Sequence, residues 1–129
     1  MKKSLLVVLT LFLALGQGFV AAAETFSRPS MAHNSLTIAT GVEGCTRRAA
    51  RAFELEGFGF SSAGDNALWG SKGSYMACIM CNLAPGGLTQ VNIVAASAEE
   101  IPDVVQSEVT RLQRRMEELG RDRNLDRRR

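Results

Sequence analysis

SYMACIMCNL (Ser74–Leu83) is the longest strand-like run in the chain, and the way its side chains divide decides the fold. Successive side chains on a strand point to opposite faces. Tyr75, Ala77, Ile79, Cys81 and Leu83 fall on one side, an unbroken set suited to a core. Ser74, Met76, Cys78, Met80 and Asn82 fall on the other. APGG (Ala84–Gly87) then turns the chain into TQVNIVAAS (Thr89–Ser97), where Val91, Ile93 and Ala95 share one side. Strand, turn and strand at this spacing predict a β-hairpin.

Upstream, FGFSS (Phe58–Ser62) and ALWG (Ala67–Gly70) read as short strands around the turn cluster SSAGDN. SLTIAT (Ser35–Thr40) alternates, with Leu36 and Ile38 on one side, and predicts a half-buried strand. Thr40 and Glu43 have capping-box spacing, which starts a helix there. Cys45, Ala49, Ala52 and Phe53 form one face of that helix, and Gly57 stops it. Downstream, Pro102 and Asp103 suit a helix N-terminus. Val105, Val109, Leu112, Met116 and Leu119 then step by four and three residues, and Gly120 reads as the stop. The expected fold is α+β: a small antiparallel sheet of about four strands, in the order β-α-β-β-β-α, with two helices on one face. The other sheet face is left open.

The ends of the chain differ from this body. Lys2 and Lys3 precede an apolar run, Leu5–Leu15, broken only by Thr10; Ala21 and Ala23 supply a cleavage pattern. Residues 1–23 thus read as a secretory signal peptide cut before Glu24. That places the protein in a bacterial periplasm or outside the cell, with no transmembrane segment in the mature chain. Residues 24–34 read as a flexible lead-in, 35–120 as the single domain and 121–129 as a disordered, Arg-rich tail. The full chain carries 15 Lys and Arg against 13 Asp and Glu; without Lys2 and Lys3 the two balance at 13 each. The body has no basic surplus, so a nucleic-acid partner is not expected.

Cysteines in an exported protein favour disulfides, and three of them leave one over. Cys78 and Cys81 point to opposite sides of an extended strand, so bridging them requires a bend. Cys81 shares the predicted interior with Cys45, which makes Cys45–Cys81 the preferred pair, worth about 3–4 kcal/mol in the chain-entropy model. Cys45–Cys78 competes if the two strand faces are exchanged, and three reduced buried thiols remain the third reading.

The outer set carries the candidate chemistry. Met76, Cys78 and Met80 form a row of sulfur, and soft thiolate and thioether donors select Cu(I). A soft-metal binding protein using Met76, Cys78 and Met80, joined by Cys81 if the strand bends, is the alternative reading of function. MACIMC also resembles the M-x-C-x-x-C signature of heavy-metal-associated domains, in which Met76, Cys78 and Cys81 correspond to the motif methionine and the two metal-binding cysteines. The likeness covers six residues. That family sets its motif in a loop between the first strand and the first helix, whereas here a helix precedes the motif and another strand follows.

Other chemistries lack their parts. A thioredoxin-like pair of Cys78 and Cys81, the remaining enzymatic reading, needs a helix N-terminus at the first thiol. A c-type haem site needs His where Asn82 stands, and a four-Cys zinc site lacks its fourth Cys. His33, the one histidine, sits in the lead-in. The expectation is a non-catalytic binding or structural module without a cofactor, stapled by one disulfide. It meets a protein or a small ligand through the open face of its sheet.

Overall fold

The computed structural model describes residues 28–126, with side chains as far as Arg121. The signal-peptide reading of residues 1–23 and the first part of the lead-in, 24–27, lie outside the described residues. Five antiparallel strands form one sheet: β1 (Ser30–Ile38), β2 (Gly59–Ser62), β3 (Ala67–Lys72), β4 (Tyr75–Ala84) and β5 (Leu88–Ser97). Two helices, α1 (Val42–Leu55) and α2 (Pro102–Asp126), complete the α+β fold.

The strand order is β1-β5-β4-β3-β2, a four-strand meander with β1 laid outside its last strand. The first two strands therefore occupy opposite edges, and α1 carries the chain between them. Its length suits the task. Fourteen residues rise about 21 Å, and four inter-strand gaps span about 19 Å. α1 packs over β2 to β5, while α2 lies over β1 and β5 and beside α1.

The core forms between the helices and the inner sheet face. Cys45, Ala49, Ala52 and Phe53 from α1 are fully buried, as are Val105, Val109, Leu112 and Met116 from α2. They meet Ala77, Ile79 and Cys81 of β4 and Val91, Ile93 and Ala95 of β5. The two inward sets read from alternation are thus the ones the helices cover. Leu83 is the exception, at 77% exposed, because β4 there has outrun its neighbour β3. Gly57 ends α1 at φ 78°, the left-handed conformation that favours glycine just past a helix.

Several expectations require correction. The sheet has five strands and not about four: FGFSS, read as a short strand, joins it as β2, exposed along its whole length and paired with β3. Residues Ser30–Asn34 are strand and not lead-in: they pair with Ile93–Ser97 of β5. Their polar character hides this. The inward Asn34 is held by amide bonds, donating to Gln113 at 2.8 Å and accepting from Gln106 at 3.0 Å, both on α2. Thr40 does not form the capping box. The N-cap is Gly41 without a side-chain cap bond, and the Thr40 carbonyl accepts from the Thr89 hydroxyl.

Gly120 does not stop α2, whose backbone remains helical through Asp126, so the Arg-rich tail is helix at least that far. What Gly120 provides is room. A Cβ there would stand 2.7 Å from a terminal nitrogen of Arg48, whose buried guanidinium donates to the Met116 carbonyl at 3.4 Å. Glu108 was not foreseen inside. It is buried within the apolar stripe of α2, where Lys72 and Arg111 both pair with it, Arg111 at 3.0 Å.

Candidate functional site

Cys45 in the first turn of α1 and Cys81 on the inner face of β4 are joined by a disulfide, with Cα atoms 6.1 Å apart and both residues fully buried. This separation lies inside the usual range for a bridge. Helix α1 crosses the sheet above β4, and its apolar face places Cys45 over the inward Cys81. The third cysteine, Cys78, is free, 5% exposed and directed to the opposite face. Cys81 is thus removed from any ligand set with Cys78. The two-cysteine grip implied by the heavy-metal-associated resemblance does not form in this chain.

On the face away from the helices, register builds a recess. Trp69 of β3 lies opposite Cys78, and Val94 of β5 opposite Cys78 on its other side. His33 follows Val94 on β1. In the adjoining row, Met76 lies opposite Ala96, which lies opposite Met31. Short side chains, Cys78 and Ala96, are therefore flanked by tall ones. Met76 and Met80 stand on either side of Cys78 along β4, Trp69 rises across from it, and Met31 rises beyond Ala96. These walls enclose about 290 Å³ with only apolar surface exposed to it. Met31 is 64% exposed, Met76 56% and Trp69 48%.

Isolated exposed hydrophobics are ordinary on protein surfaces, whereas a contiguous patch on one sheet face marks an interaction site. Towards the far end of the same face the residues turn polar. Asn82 accepts a side-chain bond from Asn66 at 3.1 Å, and Gln90 and Asn92 follow on β5. The open sheet face thus has an apolar end, which holds the recess, and a polar far end.

The thiol of Cys78 is pushed above its ordinary pKa by burial, so it stays protonated and little nucleophilic. That weighs against thiol–disulfide chemistry, since the exchanging species is the thiolate. No group of three His, Cys, Asp or Glu side chains converges among the described residues. A second depression of about 370 Å³ lies between α1 and the β2–β3 turn, rimmed by Arg47 and Asp65. Arg47 is already paired with Glu43.

All three residues of the sequence-derived sulfur row, Met76, Cys78 and Met80, line the one recess. Trp69 and Met31 complete it and were not singled out from the sequence. Alternation in ALWG separates Trp69 from the buried Leu68, so its outward direction was readable. Its position opposite Cys78 was not, because that depends on the pairing of β3 with β4. No helix among the described residues is long and apolar enough to cross a membrane. No protein-family model matches the chain, and no curated protein matches it either.

Proposed function

We propose that this protein is an exported, non-catalytic binding module that receives an apolar group of a ligand or partner in the recess on its open sheet face. The observation that carries the reading is the wholly apolar lining of that recess, bounded by exposed Trp69, Met31 and Met76. Apolar area of this kind in contact with water stabilises whatever covers it by about 25 cal/mol per Å². Methionine walls adapt to the occupant, because the thioether chain is unbranched and polarizable. Export is supported by the leader pattern of residues 1–23 and is consistent with the Cys45–Cys81 bond, since disulfides persist in oxidising compartments.

The test uses two reporters the protein already contains. Trp69 is the one tryptophan, and Cys78 the one free thiol. Titration with anilinonaphthalene sulfonate, an apolar dye, is expected to saturate at one dye per chain, to change Trp69 fluorescence, and to slow alkylation of Cys78. Ala96→Leu fills the floor of the recess from an outward position, and it should abolish the dye signal without lowering the melting temperature by more than a few degrees. Dye binding that persists unchanged in Ala96→Leu, or leaves Cys78 alkylation unaffected, counts against the recess as the binding site.

A further inference from the structure

The chemical character of the recess narrows its occupant. Its donors are sulfur alone. Met76, Cys78 and Met80 occur at every second residue of β4, so their side chains rise from one face in a line. Adjacent members of that line are about 7 Å apart at the backbone. One unbranched methionine chain two residues from the thiol is long enough to share an ion with it, whereas Met76 and Met80, about 14 Å apart at the backbone, are too far apart to hold the same ion together. No nitrogen or oxygen surface opens into the recess. His33, the nearest imidazole by register, is separated from Cys78 by Val94. Hard ions therefore find no donors, and a four-ligand zinc site is out of reach.

Charge gives the second constraint. A cation in an apolar cavity is costly unless an anion accompanies it. Cys78 supplies one negative charge when its proton leaves, which neutralises a monovalent ion and leaves a divalent ion with a net positive charge. The thiol is unbonded to any other cysteine, nineteen-twentieths buried, and lines the recess. We propose that Cys78, with the thioether of one flanking methionine, Met76 or Met80, forms a binding site for a soft monovalent metal ion, of the class of Cu(I) or Ag(I), with the Cys78 thiolate as the charged ligand and that thioether as the second donor. Binding exchanges one proton for one ion: the S–H bond breaks, a sulfur–metal bond forms, the proton goes to solvent, and no electron is transferred. Cys81 takes no part, because it faces the core in its bond to Cys45.

This inference rests on the reading of the recess as a binding site, and the experiment separates the two. Ag(I) is the suitable probe, because it is not reduced or oxidised under conditions that keep the Cys45–Cys81 bond intact. Purified protein is titrated with Ag(I) against a competing chelator, with native mass spectrometry for stoichiometry and unbuffered titration for proton release. One ion per chain and one proton released are expected. Cys78→Ser is expected to weaken Ag(I) by more than about 100-fold, beyond what loss of a merely supporting residue causes. The pair Met76→Leu and Met80→Leu, which keeps the thiol and the shape, is expected to weaken it by at least about 10-fold. Leu83→Ala, exposed and outside the recess, should leave it unchanged. Undiminished affinity in Cys78→Ser, indifference to the double methionine variant, or Zn(II) binding as strong as Ag(I) would each overturn the proposal. Absence of Ag(I) binding with dye binding intact removes the metal and leaves the recess as an apolar site; loss of both removes the underlying reading as well.

Discussion

Cys78 shows how one side chain's surroundings set its chemistry. It carries the same thiol as Cys81 three residues on, yet strand alternation sends the two to opposite faces and to opposite fates. Burial raises the Cys78 pKa, and the consequence for stability has a definite sign. The folded protein retains the thiol proton where the unfolded chain has begun to release it. The associated stability is complete below the ordinary thiol pKa and is lost as pH rises through the raised folded value. The unfolding free energy of the wild type minus that of Cys78→Ala should be level up to about pH 8 and fall above it. Denaturant melts across that range measure the difference; a level difference throughout would mean that the thiol is no harder to ionise folded than unfolded. Alkylation of native Cys78 should require higher pH than a free cysteine for the same rate.

Among the elements, β3 and α1 meet at a place where size is fixed. Gly70 faces inward on β3, and a Cβ there would lie 3.0–3.2 Å from the Phe53 ring. That ring also packs on Phe58, with centroids 5.2 Å apart, and stacks on Phe60 at 6.0 Å. It has little freedom to retreat. Gly70→Ala is therefore expected to destabilise by about 1–3 kcal/mol, as overpacking does, despite the better strand propensity of alanine. Urea unfolding gives the value; a neutral or stabilising result would show that Phe53 can shift at low cost. Two residues along β3, Lys72 ties three elements together. It pairs with Glu108 of α2, donates to the Glu56 carbonyl past α1 at 3.1 Å, and lies over the Phe58 ring at 4.7 Å. The buried Glu108 is the polar group that this arrangement keeps satisfied. Neither its burial in the stripe of α2, between Val105 and Leu112, nor its cationic partner on β3 was read from the sequence. β4, β5 and the buried face of α1 were legible from periodicity, whereas the start of β1 was hidden by Asn34, whose amide is satisfied only by Gln106 and Gln113 of a helix far along the chain.

For the molecule as a whole, the Cys45–Cys81 bond joins the helix to the middle of the sheet across a sequence separation of 36. A small domain gains most from such a link, because its unfolded chain loses the freedom of a long loop. Replacing both cysteines by alanine should lower stability by about 3–4 kcal/mol and the melting temperature by on the order of 15 °C. A loss below about 1 kcal/mol would mean that packing of α1 on the sheet suffices without it. The sequence by itself determined the α+β class, the inward faces of α1, α2, β4 and β5, and the division of Cys78 from Cys81, because each follows from the fixed periods of helix and strand. Only the tertiary structure decided that FGFSS joins the sheet as a fifth strand, the edge positions of β1 and β2, and the recess that sets Trp69 and Met31 beside the Met76–Cys78–Met80 row. Those depend on which strands pair and in what register, and strand pairing joins residues far apart in the chain, where no local period reaches.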